Sequence, residues 1–429
     1  MSQEEKKGIT RREFVATAAA GAAGWMIIKP QLVRGTAANS QLRLGLLGCG
    51  ERGTNDATVL ATRTPVRVIA LGDLFQDQLD KAKAHFDRIA QRRGYAGVEQ
   101  SRIFRGPNAF EQIAENKDVD IVLITTPPYF HPQHLEAAVA AGKHVYCEKP
   151  VSVDVNGAKR VIEAGKKADG RLSLEVGFEL RKAPPFVELD RRIQAGALGR
   201  IACGEAYYFA TFIKRPNWPN ASPQELRIRN WIYDRVLSGD IIVEQNIHVV
   251  DTWNWMLKGR PLKAVATGGR QVRPDPGNVY GHYNVIFYYP DNVTINFGST
   301  QFDKGWWDVA SRFFGSKGVS EWHYTGPVAI YGEQPWSGAV ASPSAGKEQF
   351  SVSGAFHDNL AQADPQKFKS YVDSIVSGKF HNQASMGVES TLSAMLAREA
   401  AYLGRELAWD ELVSMDMTWD SGINLNQFA

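Results

Sequence analysis

A chain of 429 residues is long for one compact core and implies two domains. Its 44% hydrophobic and 22% charged residues exclude a disordered or collagen-like chain, and its formal net charge of +3 sits wholly in residues 1–38, where Lys6, Lys7, Arg11, Arg12, Lys29 and Arg34 face Glu4, Glu5 and Glu13. The remainder is neutral, which leaves no electrostatic footprint for nucleic acid or an anionic membrane; Cys49, Cys147 and Cys203 have neither disulfide-framework nor zinc spacing, so no metal is expected.

From the N-terminus, Thr10-Arg11-Arg12-Glu13-Phe14-Val15 leads into an Ala/Gly-rich apolar run of 14 residues, Val15 to Ile28. The small residues Gly35-Thr36-Ala37-Ala38 then fit a cleavage site after about Ala37 or Ala38. A basic start, a moderate apolar stretch and a small-residue end make a signal peptide, and paired arginines before a weakly hydrophobic core resemble the twin-arginine type. The run is shorter than the ~20 residues that cross a bilayer. Residues 1–38 are therefore expected to direct export through the twin-arginine translocase to the periplasm, with no stable membrane insertion after processing. That route carries folded proteins, so a chain exported by it can take a bound ligand with it.

Residues 39–180 read as a Rossmann-type dinucleotide-binding domain. Leu42 to Leu47 is an apolar strand, followed at once by Gly48-Cys49-Gly50-Glu51-Arg52-Gly53 and a helix-like stretch through Leu60. This is G-x-G-x-x-G in its strand–turn–helix setting. The glycines permit a tight turn, close approach to a pyrophosphate and close helix packing, and the helix N-terminus offers N–H groups to the phosphates. A second strand from Val66 to Leu71 ends at Asp73, placed to accept hydrogen bonds from the adenine ribose. Leu74 and Phe75 follow with no arginine, which favours NAD over NADP: a 2′-phosphate would meet a carboxylate and no cation. Helices over Gln76–Arg93, Pro132–Ala141 and Val153–Ala168 then alternate with strands over Val119–Ile124, His144–Cys147 and Leu172–Gly177. Such alternation implies a parallel sheet with right-handed crossovers and ligands at the carboxyl ends of its strands.

Residues 181–429 change pattern. Strands are expected over Ile201–Thr211, Lys263–Gly269, Tyr280–Tyr288, Val293–Phe302 and Ala310–Phe314, with a hairpin-type connection at Tyr289-Pro290-Asp291-Asn292. Successive strands without intervening helices indicate a mainly antiparallel sheet in an α+β domain. Pro365–Ser377 and Glu389–Gly404 read as helices. Pro216–Leu226 and Gly332–Gly354 read as long loops of the kind that serve as lids or interface arms.

The chemistry-bearing residues form two groups. Glu148-Lys149-Pro150 ends the strand His144–Cys147, where a residue faces the ligand crevice. In the segment from Gly239 to Asp251, a helix over Ile242–Trp255 would put Glu244 and His248 on one face at i,i+4 spacing. An alcohol being oxidised loses its hydroxyl proton as hydride leaves carbon, and a histidine suits that transfer. A carboxylate one turn away can bind a sugar hydroxyl or orient the imidazole.

The glycine loop, Thr126-Pro127-Pro128 with His131 nearby, and the block from Ala141 through Glu148-Lys149-Pro150 resemble the Gfo/Idh/MocA family, over nearly all of the chain after the signal. The resemblance implies that Lys149 is a catalytic residue that binds the reacting hydroxyl, aimed by a cis bond at Pro150. It implies that His248 and Glu244 stand in the family's Asp-x-x-x-His pair, with Glu244 one methylene longer than the usual acid. It further implies a large open sheet in the second domain, with one face over the active site and the other used to form a homodimer or homotetramer, and final helices that return to the Rossmann domain. Cofactor contacts are expected from Gly48, Gly50, Glu51, Arg52, Gly53, Asp73, Thr126, Pro127, His131, Glu148 and Lys149. Glu179, Arg181, Trp231 and His282 are candidate substrate contacts.

The expected function is an NAD(P)-dependent oxidoreductase moving hydride between a ring C–OH of a sugar or cyclitol and a tightly held cofactor, because export separates the enzyme from a pool of free nucleotide. The alternative is an NAD-dependent glycoside hydrolase or lyase acting through a transient keto-sugar, although Glu244-Gln245-Asn246-Ile247-His248 lacks the Tyr-x-x-His of such enzymes. A non-catalytic sugar sensor is disfavoured because Lys149 and His248 are both present.

Overall fold

The computed structural model describes residues 41–303, 306–338 and 358–429. The export signal expected over residues 1–38 lies outside them, as do residues 339–354 of the expected long loop. Among the described residues no helix is long and apolar enough to cross a membrane.

The first half alternates β1 (Leu42–Leu47), α1 (Glu51–Arg63), β2 (Val66–Asp73), α2 (Gln76–Arg93), β3 (Ile103–Arg105), α3 (Ala109–Glu115), β4 (Ile121–Ile124), α4 (His131–Ala140), β5 (His144–Cys147), α5 (Val155–Ala168) and β6 (Leu174–Val176). The strands form a parallel sheet in the order β3-β2-β1-β4-β5-β6. Strand order reverses between β1 and β4, and a crevice opens there at the strand ends. The fully buried run Ile121-Val122-Leu123-Ile124 follows from helices on both faces. Ile113, Leu135 and Val161 cover one face, and Leu60 and Phe86 the other. β3 and α3 were not expected: β3 has three residues, none of them buried, and so carries no apolar signal.

The second half runs α6 (Pro184–Gln194), β7 (Ile201–Thr211), α7 (Pro223–Arg229), α8 (Arg235–Ser238), α9 (Ile241–Glu244), α10 (Ile247–Leu257), β8 (Lys263–Gly269), β9 (His282–Tyr288), β10 (Thr294–Asp303), β11 (Asp308–Gly315), β12 (Gly318–His323), β13 (Val328–Gly332), β14 (Trp336–Ser337), α11 (Ala363–Ser377), α12 (Ala384–Leu403), β15 (Leu407–Ala408) and α13 (Trp409–Ser414). Its sheet has the order β14-β13-β12-β11-β7-β10-β9-β8-β15. β7 and β10 pair in parallel and the other neighbours are antiparallel. Along β9, buried Tyr283, Val285 and Phe287 alternate with His282, Asn284, Ile286 and Tyr288, so one face packs on helices and the other is open.

Two expectations are corrected here. β12 to β14 were not expected: β12 carries serine at an inward position, where buried Ser320 accepts the Phe313 amide at 3.3 Å, β13 is a short apolar run of five residues, and β14 has two residues. The helix expected over Ile242–Trp255 is instead two helices, α9 and α10, broken at Gln245–Asn246.

The C-terminal helices pack on the first sheet. α11 sets Phe368 and Tyr371 against Tyr146 of β5, with ring centroids 5.0 and 5.7 Å apart, on the face that α1 and α2 cover. α12 carries the fully buried Arg398, which donates to the carbonyls of Val153 at 2.8 Å and Gly239 at 3.1 Å and lies 4.0 Å from the Trp419 ring centroid. One side chain thereby ties α12 to the turns before α5 and before α9. Arg398→Ala is expected to leave two buried carbonyls without their donor and to open a cavity, lowering stability by about 3 kcal/mol. Denaturant unfolding of the full chain would show it as a lower midpoint.

Candidate active site and nucleotide cleft

The glycine loop is shaped by contact. Gly48 has φ 93°, and a β-carbon there would lie 2.7 Å from the Thr125 carbonyl group. A β-carbon at Gly53 would lie 2.2 Å from the Gly48 carbonyl oxygen. The loop is thus pressed against the end of β4, and α1 against the loop. At Gly50 an added β-carbon would meet nothing within 4 Å. Gly50 faces a cleft of about 340 Å3, lined also by Gly48, Glu51, Asp73, Thr126 and Pro127. No side chain caps the N-terminus of α1, which is open to a phosphate. Asp73 stands at the end of β2, its Oδ2 accepting the Cys49 N–H at 2.7 Å and its Oδ1 the Phe75 N–H at 2.9 Å. Burial pushes its carboxyl up to about 6, against the pull of those two amides. Glycine loop, open helix end and strand-end acid fit a dinucleotide.

Much of the rest of the lining was not foreseen. Phe110 stacks on His134 at 4.7 Å, and the Nδ1 of His134 lies 3.0 Å from Thr126 Oγ1. Burial pushes His134 down to about 3, so it is neutral. Arg215, Trp218 and Arg229 arrive from the segment between β7 and α8, and Leu425 from the C-terminal tail. Arg229 lies 3.8 Å from the centroid of Phe75 and 5.4 Å from that of Trp218. It is held by Asp77 at 2.9 Å and Glu225 at 2.7 Å. Arg215 donates to the Arg229 carbonyl at 2.8 Å. Phe428 of the tail meets the edge of Phe75 at 5.7 Å. This end of the cleft is therefore roofed by two segments remote in sequence: the first overlaps the lid-type loop expected over Pro216–Leu226, and no local pattern announces the tail.

Three expected cofactor contacts point elsewhere. Arg52 turns inward to Asp56 at 3.2 Å, Glu148 at 3.1 Å and Asp364 at 3.5 Å. Glu148 is buried between Arg52 and Lys367; burial alone would raise its carboxyl, but Arg52, Lys367 and Lys149 hold it down at about 2. The two nitrogens of His131 lie 2.7 Å from the carbonyls of Pro150 and Thr126, which makes it a bolt between two loops. Glu148 and His131 are buried, and Arg52, still partly exposed, is turned toward its three acids.

Lys149 precedes a cis peptide bond to Pro150, as expected. Its Nζ donates to the Glu244 carbonyl at 2.6 Å and to Glu244 Oε1 at 2.9 Å. A continuous helix would commit that carbonyl to the amide of His248. The break after α9 instead closes on the Ile241 carbonyl, which the amides of Gln245 and Asn246 both reach at 2.9 Å, and the Glu244 carbonyl faces Lys149. Upstream, Asp240 has φ 76° and ψ 163°, a backbone region that favours glycine. Its carboxylate accepts the Ile241 amide at 2.7 Å, the Tyr280 amide at 3.1 Å and the Tyr402 hydroxyl at 2.7 Å, which hold it there.

His248 is buried, and its Nδ1 lies 3.0 Å from Glu179 Oε1. Burial, then the charges of Lys149, Arg52 and Lys367, push the imidazole well below its usual range. Glu179 is thus beside the histidine rather than on an open subsite wall. Trp231 lines the nucleotide cleft. Arg181 faces away from it, pairing with both oxygens of Asp251 at 2.8 Å. His282 lies on the open face of the second sheet, fixed there by strand alternation with buried Tyr283.

Residues 42–176 match a family described as an oxidoreductase family with an NAD-binding Rossmann fold. Residues 186–321 match the GFO/IDH/MocA C-terminal domain. Inositol 2-dehydrogenase 4 of Saccharopolyspora erythraea is 33% identical over 233 residues, which are 53% of this chain and 57% of that protein. The chain thus spans little more than half of that relative. Inositol 2-dehydrogenase of Rhizobium meliloti is 26% identical over 67% of this chain and 78% of its own. The fold is shared with scyllo-inositol dehydrogenase from Lactobacillus casei, solved with NAD(H) and scyllo-inositol, at a TM-score of 0.66 and 20% identity over 86% of this chain and 99% of the other. The two matches together cover residues 42–176 and 186–321, and the chain belongs to the Gfo/Idh/MocA oxidoreductases.

Proposed function

We propose that this chain oxidises a ring hydroxyl of a cyclitol or sugar, passing hydride to a tightly held NAD. The observation that carries the reading is the placement of Lys149 at the end of β5, next to the β4 end that forms the glycine cleft, with two of its three N–H donors spent on Glu244. The third is left for a substrate oxygen. NAD, when bound, supplies the hydride acceptor. Lys149 holds and polarises the hydroxyl, Glu244 fixes Lys149, and His248 takes the proton. The inositol 2-dehydrogenase relatives support a polyol substrate.

NAD rather than NADP is favoured by Asp73 on the cleft wall and by Arg229, whose charge already faces Asp77 and Glu225. The roof formed by Arg215, Trp218, Arg229 and Leu425 supports a cofactor that stays bound. That retention accords with export by the twin-arginine route, read from Arg11-Arg12 and the small-residue stretch after it. A homodimer or homotetramer would use the open sheet face, where Val265, Ile286 and Tyr331 are exposed.

Two outcomes are expected. Mass spectrometry of small molecules released on denaturing the dialysed protein should recover NAD near one per chain. Arg229→Ala should lose it, because removing a stacked guanidinium worth about 1–2 kcal/mol weakens binding roughly tenfold or more. The second outcome concerns turnover. NADH formation from myo-inositol, scyllo-inositol or D-glucose should fall roughly 10²–10³-fold in Lys149→Met while NAD affinity is kept. A protein loaded with NAD that oxidises none of a wider polyol panel would sink the reading.

A further inference from the structure

Glu179 has no place in the scheme above. It follows β6, is 1% exposed, and presents Oε1 to His248 Nδ1 at 3.0 Å without the alignment of a formed hydrogen bond. Neither His248 Nδ1 nor Glu179 Oε2 has a hydrogen-bond partner among the described residues. Two polar groups buried at this distance are costly apart and complementary together. Glu244, the acid at the family's usual position, is engaged with Lys149 instead.

We infer that Glu179 is the positioning residue of His248: its carboxylate fixes the tautomer with the proton on Nδ1 and leaves the Nε2 lone pair to accept the substrate's hydroxyl proton. This rests on the oxidoreductase reading. In the step, the carbinol C–H bond breaks and its electron pair leaves as hydride to NAD. The O–H bond breaks, its proton goes to Nε2, and the alcohol becomes a ketone. The imidazolium so formed faces the Glu179 carboxylate and later gives its proton to water. When Glu179 is protonated, its O–H donates to Nδ1, the ring proton sits on Nε2, and the base is blocked.

The charges around the pair set where this change occurs. Burial raises the Glu179 carboxyl to about 7; Lys367 and Arg52 pull it down and Glu148 pushes it up. Tyr208 and Tyr324, from the second sheet, also lie near it. On the histidine side, burial and the cations Lys149, Arg52 and Lys367 disfavour an imidazolium, so an ionised Glu179 is its counter-charge. Asp251, one turn along α10, is taken by Arg181. Oxidation should therefore switch on as pH rises through about 7.

The test is 15N NMR of the full chain labelled at histidine, with the His248 ring assigned by its loss in His248→Asn, from about pH 5.5 to about pH 9. The expected result is that Nδ1 changes from pyridine-like to pyrrole-like as Glu179 ionises, that Glu179→Gln abolishes the change, and that Glu179→Asp restores it. In Glu179→Gln, kcat for polyol oxidation should fall roughly 10²-fold and lose its rising limb with pH, with KM and NAD affinity kept. An unchanging wild-type tautomer, or a change that survives in Glu179→Gln, overturns the inference. If Glu179→Gln does not fold, the wild-type titration and Glu179→Asp decide. The NMR result needs no turnover, so it stands apart from any failure to find an oxidised polyol.

Discussion

The Glu148 carboxylate is the point on which the site hangs. Around it meet Arg52 and Asp56 from α1 and Asp364 and Lys367 from α11. Any of these charges alone in the interior would cost several kcal/mol. Together, two cations face three acids: burial raises the Asp56 carboxyl against the pull of Arg52 and Lys367, while the cations hold Glu148 down. The second oxygen of Glu148 takes the Lys149 amide at 3.2 Å. A side chain at Gly177 would strike the same carboxylate at 2.4 Å, so the end of β6 is bare there. Glycine-loop helix, Lys149, β6 and C-terminal helix are thereby held in one register.

The second constraint is the broken helix. A regular α-helix here would commit the Glu244 carbonyl to the His248 amide and leave Lys149 a carboxylate alone. By closing a wider turn on Ile241, the chain turns one carbonyl outward. Lys149 then binds backbone and side chain of Glu244 together, which fixes its ammonium more firmly than a single flexible acid would. The extra methylene of glutamate over aspartate is accommodated in this two-point grip.

The first domain was largely legible because it rests on local signals. β1, α2 and β5 fall where the apolar runs placed them, and the glycine loop and Asp73 are where spacing set them. What was hidden depends on distant partners. The apolar period of 242–255 is helical throughout, and nothing local marks the break at Gln245. Arg52 and Glu148 sit in motif positions that resemble cofactor contacts, yet Lys367, more than 200 residues later, draws Glu148 inward. Glu179 could be recognised as the partner of His248 only after β6 and α10 were brought together. His282 was misplaced by reading a strand without its register: Tyr283 is the buried neighbour, so His282 faces out.

The roof of the cleft and the pair Glu244 and His248 belong to one stretch of chain. Arg215, Trp218 and Arg229 lead without interruption into Trp231 and α8. Asp234 caps α8 through the amides of Val236 at 2.9 Å and Leu237 at 3.2 Å, and its other oxygen takes Arg227 at 2.7 Å. α8 ends at Gly239, Asp240 turns the chain, α9 delivers Glu244 and α10 delivers His248. Arg229, paired with Asp77 of α2 at 2.9 Å, fixes the start of this stretch, and Lys149 fixes its end at the carbonyl and carboxylate of Glu244. The roof of the cleft and the buried histidine are thus placed by one continuous run of backbone.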